Sequence, residues 1–145
     1  MGRILAIDYG RKRTGLAVTD ELKIIANSLA TVNSNELIDY LKKYISKENV
    51  ECFVVGDPKR MDNSSSESAI FIEPFIKLLQ KTFPGISIKR FDERFTSKIA
   101  FQSMIDAGLK KKDRRNKELI DSISATLILQ SYMESLNNNN NINKD

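Results

Sequence analysis

Read for apolar and polar positions, the chain divides into short runs of two different periods. Residues 3–9 (RILAIDY) are an apolar run with a carboxylate near the end, the pattern of a central strand. Residues 9–15 (YGRKRTG) form a glycine-bracketed turn, and Leu16 to Thr19 start a second strand, which predicts a hairpin. A third strand is expected over 24–32. Leu37, Ile38, Leu41 and Ile45 then recur at helical spacing and predict an amphipathic helix over 34–48, with Asn33 and Glu36 as a capping box.

Residues 51–56 (ECFVVG) read as a short buried strand that ends at Asp57-Pro58, and 59–68 as a polar, turn-rich loop. A helix is predicted over 67–82, with Ile70, Ile72, Phe75, Ile76 and Leu79 as its apolar face and Pro74 either bending it or marking its first turn. Pro84-Gly85 punctuate the chain, and 86–91 is the next strand. Residues 97–107 look helical and stop at Gly108, a good position for a left-handed cap. The longest helix is expected over 117–136. Hairpin strands followed by strand–helix–strand crossovers imply an α/β domain, a mixed five-stranded sheet with helices on its faces.

Length fits one domain, placed at 1–136, and the tail from 137 to 145, which opens with five consecutive Asn, reads as disordered. No apolar run approaches the roughly 20 residues of a membrane span. The N-terminus lacks the pattern of a signal peptide, so a cytoplasmic protein with no membrane partner is expected. The single cysteine, Cys52, has no internal disulfide partner and reads as a small buried hydrophobe.

Histidine is absent, which excludes serine-protease triads, zincins and His-dependent nucleases. Hydrolytic chemistry would have to rest on carboxylates, lysines, hydroxyls or a metal. The net charge of +4 is concentrated, since the octet 110–117 (KKKDRRNK) carries +5 and the rest of the chain −1. The octet reads equally as a solvated loop and as a polyanion contact.

Three carboxylates stand out. Asp8 ends an otherwise apolar strand, where a desolvated carboxylate is costly unless paired or metal-bound; the plainer reading is a cap on the Gly10 turn. Glu93 follows another central strand, with an ion pair to Arg94 as its plainer reading. Asp121 lies near the start of the last helix and shares a face with Ala125, Ile128 and Tyr132, although a carboxylate near a helix N-terminus is favourable in itself. Convergence of three carboxylates without histidine would suit Mg²⁺ or Mn²⁺.

These residues also carry a resemblance. The stretch from Ala6 to Ala17 (AIDYGRKRTGLA) is similar to the opening signature of the YqgF family, also called RuvX. Val54-Val55-Gly56-Asp57-Pro58 with Met61-Asp62, Asp92-Glu93-Arg94-Phe95-Thr96-Ser97, and Lys117 with Asp121, Ser122, Ala125, Ile128, Leu129 and Tyr132 resemble its later motifs. The likeness covers about residues 3–135. It implies a ribonuclease H-like fold and a nuclease assigned either to Holliday junctions or to pre-16S ribosomal RNA. It further implies Asp8, Glu93 and Asp121 as catalytic residues and metal ligands.

Arg11, Lys12, Arg13, Arg94, Lys110, Lys111, Lys112, Arg114, Arg115 and Lys117 would then contact the nucleic-acid backbone. Lys117 is one turn from Asp121 and reads equally as its ion-pair partner. The partner would be structured RNA or branched DNA, with RNA favoured and the oligomeric state left open. Two positions depart from the family pattern. Asp57 stands where leucine is usual, either as a fourth ligand or as a cap before Pro58, and Asn63 stands where glycine is common. Two other classes remain: a non-catalytic nucleic-acid-binding module, and an ATP-dependent enzyme suggested by the Asp8-to-Gly15 hairpin, for which one domain is too small to close a nucleotide cleft.

Overall fold

A computed structural model describes residues 2–57, 67–92 and 124–136. Five strands, β1 (Arg3–Asp8), β2 (Arg13–Thr19), β3 (Ala26–Asn33), β4 (Val50–Asp57) and β5 (Ser87–Asp92), form one sheet in the order β3-β2-β1-β4-β5. The hairpins make β1–β2 and β2–β3 antiparallel, while β4 and β5 return through helices and therefore pair in parallel. A 3₁₀ turn (Ser34–Glu36) leads into α1 (Leu37–Lys47), α2 spans Glu67–Thr82, and α3 covers residues 124–136. The mixed five-stranded sheet and the helical periods are as the sequence predicts.

Alternation along the strands assigns each side chain to a face. Leu5 and Ile7 of β1, with Phe53 and Val55 of β4, pack with Leu37 and Leu41 of α1 and Ile72, Phe75, Ile76 and Leu79 of α2. Ile4, Ala6, Cys52 and Val54 point the other way, onto Ala125, Ile128 and Leu129 of α3. A register shift between Arg3 and Ile4 leaves Glu51 unpaired, which is why Val50 belongs to the first cluster despite its even number. Cys52 is buried, as expected of a small hydrophobe.

Several local expectations are corrected. Strand β2 starts at Arg13 rather than Leu16, because Arg13 and Thr14 pair with Asn33 and Val32 of β3. The capping box does not form: Asn33 caps the 3₁₀ turn and Glu36 caps α1, and neither makes a side-chain cap hydrogen bond. Ser34 is the residue that works there, donating its hydroxyl to the Gly10 carbonyl and lying 2.9 Å from the Thr14 hydroxyl. Pro74 lies inside α2, beyond its first turn, and Ile70 is 69% exposed, outside the apolar face assigned to it. The helix predicted at 97–107, the basic octet and the Asn-rich tail lie outside the described residues.

Candidate active-site edge

Three carboxylates end three neighbouring parallel strands: Asp8 on β1, Asp57 on β4 and Asp92 on β5. In register, Ile7 lies beside Val55 and Asp57 beside Asp92, so all three reach the same edge of the sheet. They do not share a face. Asp8 continues the even series of Ile4 and Ala6 toward α3, whereas Asp57 continues the series of Phe53 and Val55 toward α2.

On the α2 face Asp57 is 8% exposed and is paired with Arg90, whose Nη2 lies 3.4 Å from its Oδ2. The same guanidinium donates from Nη1 to Glu73 Oε1 at 2.6 Å, so one arginine ties the end of β4 to β5 and to α2. A buried carboxylate is tolerable when a cation and hydrogen bonds satisfy it. This accounts for the aspartate that stands where leucine was expected. Asp57 serves an ion pair across the back of the sheet, on the side away from Asp8.

On the α3 face the residues around Asp8 are small or glycine. Its partner across β2 is Gly15, and Ala6 and Ala17 lie one step below, against Ala125. Phe91 of β5 also faces this way and meets Tyr132 of α3 edge-on, with ring centroids 6.4 Å apart. Burial pushes the Tyr132 hydroxyl above its ordinary value, and burial does the same to the Cys52 thiol beside it.

The β1–β2 turn projects from this edge, and its backbone is fixed. A Cβ at Gly10 would collide with the Arg13 carbonyl oxygen, so only glycine fits. Ser34 N–H donates to the Lys12 carbonyl at 2.9 Å and its hydroxyl holds the Gly10 carbonyl. Arg11 and Lys12 are exposed and Arg13 is half-buried. The Arg11 guanidinium lies 4.2 Å from the ring centroid of Phe71 in α2, a contact that sequence alone did not suggest.

Of the carboxylates predicted to act together, Asp8 is described; Glu93 and Asp121 lie outside the described residues, as do Arg94, Lys110, Lys111, Lys112, Arg114, Arg115 and Lys117. Among the described residues no group of three or more Asp, Glu or Cys is arranged to hold a metal ion. The sequence reading missed Arg90, Phe71, Ser34 and Tyr9. The one signal available for Phe71 was its i, i+4 spacing from Phe75, which places two aromatics on one stripe of α2.

Comparison with known proteins supplies the remaining information. Residues 2–135 match the family model RuvX, described as Holliday junction resolvase. A protein of Phocaeicola vulgatus named "Putative pre-16S rRNA nuclease" is 59% identical over 135 residues, covering 93% of this chain and 97% of that protein. A protein of Christiangramia forsetii with the same name is 59% identical over 133 residues, covering 92% of this chain and 98% of its own. Thermus thermophilus RuvC in complex with a Holliday junction substrate shares the fold at a TM-score of 0.60 and 15% identity, over 93% of this chain and 96% of that one.

Proposed function

Because this chain belongs to the RuvX family, we propose that it is a divalent-metal-dependent nuclease that hydrolyses phosphodiester bonds in structured RNA, with the 5′ end of pre-16S ribosomal RNA as its target. One observation carries the reading: Asp8 ends the central strand on the face that α3 covers. Two flanking residues support the addition of Glu93 and Asp121. Phe91, two positions before Glu93 in sequence, packs with the α3 cluster. Ala125, four positions after Asp121 in sequence, is fully buried in the same cluster.

Asp8, Glu93 and Asp121 would provide an all-oxygen donor set, the chemistry that suits Mg²⁺ or Mn²⁺. When bound, such a cation supplies a Lewis acid and an activated water at the scissile phosphate. Lys12 on the β1–β2 turn and Arg13 at the start of β2, with Arg94, Lys117 and the 110–117 basic octet, would hold the phosphate backbone. Contacts of that kind set affinity and salt dependence rather than sequence choice.

The test is cleavage of a pre-16S RNA fragment and of a four-way DNA junction, assayed side by side across a Mg²⁺ and Mn²⁺ titration. The expected result is metal-dependent cleavage of the RNA, with Asp8→Asn slowing it by on the order of 10²–10³ while the circular dichroism spectrum is unchanged. Wild-type rates in Asp8→Asn would reject the site. Cleavage of the junction alone would move the substrate to branched DNA, and binding of both without cleavage would leave a nucleic-acid-binding module.

A further inference from the structure

We infer that Phe71 and Arg11 form a stacking platform for an unpaired base of the nucleic acid, next to the edge that carries Asp8. The inference rests on the nuclease reading and narrows its substrate to one with single-stranded nucleotides close to the cleavage point.

Two π contacts join β1 and its turn to α2. Tyr9 stacks on Phe75 with ring centroids 4.3 Å apart and planes 9° apart. One helical turn earlier on α2, and two residues later on the β1 side, the Arg11 guanidinium lies over Phe71 at 4.2 Å. The inner pair is core: Phe75 is 6% exposed and belongs to the cluster on that face. The outer pair is not. Phe71 is 37% exposed, Arg11 is exposed, and the adjacent Ile70 is 69% exposed.

The inner stack already anchors the turn to α2, and Ser34 fixes the turn's backbone from the other side. The outer pair is therefore a cation–π stack with part of its surface open to solvent, at a point the inner pair already anchors. An aromatic ring and a guanidinium are the two protein surfaces on which unstacked bases lie, whatever the base. Exposed Lys12 follows directly in sequence and adds a positive charge beside the pair.

Phe71 lies on the α2 side of the sheet and Asp8 points to the α3 side, so a strand that touches both passes around the sheet edge at the β1–β2 turn. Arg11 is three residues beyond Asp8, so their Cα atoms are at most about 10 Å apart. A base on the platform would thus belong to a single-stranded segment that flanks the cleavage point. Bases inside a duplex cannot use the platform, because both of their faces are already stacked.

Binding in EDTA separates this inference from catalysis. The probes are a short single-stranded RNA carrying one 2-aminopurine and a blunt RNA duplex, titrated by fluorescence into the full chain and into its Phe71→Leu, Phe71→Trp and Arg11→Lys variants. Phe71→Leu keeps an apolar helix-forming residue, and Arg11→Lys keeps the charge but not the plane. Both should weaken single-strand binding about tenfold and leave duplex binding unchanged. Phe71→Trp should retain it, quenching of 2-aminopurine should disappear in Phe71→Leu, and Arg11→Lys should keep the parental salt slope.

Unchanged single-strand affinity in both Phe71→Leu and Arg11→Lys, or equal losses on single strand and duplex, would overturn the platform. Failure of the nuclease reading shows separately, as absence of metal-dependent cleavage by the unmutated chain.

Discussion

On the α1/α2 side of the sheet the filling is bulky: Leu5, Ile7, Leu16, Phe53, Val55, Leu37, Leu41, Ile72, Phe75 and Leu79. On the α3 side Ala6, Ala17, Cys52 and Ala125 take much of the space, with Ile4, Val54, Ile128 and Leu129 around them. Small residues let a helix lie close to the strands, and Ala125 of α3 packs in one cluster with Ala6, two residues before Asp8. The bulky side packs against two helices, α1 and α2, and its acidic group Asp57 is matched by Arg90. One face thus gives stability and neutralises its own charge. The other sets small residues beneath α3, on the face toward which Asp8 points.

That contrast can be broken most sharply at Phe53. Its truncation to alanine on the bulky face should cost about 3–5 kcal/mol, read as a shift of the denaturation midpoint, because the site is fully buried. A loss below 1 kcal/mol would mean that this face is not the main source of stability. On the α3 face the vulnerable direction is reversed. Ala6→Leu should cost about 1–3 kcal/mol by overpacking and should reduce cleavage as well, since it pushes α3 away from the strand that carries Asp8. Unchanged activity in a destabilised Ala6→Leu protein would separate the helix from the site.

Next in size is the charge pair. Arg90→Met removes the guanidinium that pairs with the nearly buried Asp57 and should cost about 1–3 kcal/mol, whereas Asp57→Leu with Arg90→Met should recover most of that loss. Cleavage abolished by Asp57→Leu alone, in a folded protein, would return Asp57 to the list of ligands.

The smallest effect lies at Cys52, whose thiol burial pushes upward, with the Lys89 and Lys23 charges opposing. A folded pKa above the unfolded one means that the contribution to stability is complete below about pH 8.5 and declines as pH rises toward the folded value. Labelling with a thiol reagent should stay slow through that range, and a rate equal to that of an unfolded peptide would contradict the burial.

The elements were legible where one residue type or period dominated. The apolar run of β1 and the bounds of α2 at 67 and 82 follow from local pattern alone. The capping box was not legible, because Ser34 is drawn to the Gly10 carbonyl, 24 residues away in sequence. Ile70 was misassigned because it and Ile72 are about 200° apart around a helix and cannot share a face. At the site, Asp8 could be read from the cost of an aspartate in an apolar strand. The role of Asp57 could not, since its explanation is Arg90, which reaches it only once β4 and β5 are paired.

The strand that ends in Asp8 has a neighbour on each side, β2 and β4, and its Leu5, Ala6 and Ile7 are fully buried. Amides in such a position exchange with solvent through global unfolding rather than by local opening. Asp8 is therefore held by the segment expected to be last to loosen on warming. Its backbone position should stay constant until the molecule as a whole unfolds, so heat should end its contribution in a single cooperative step.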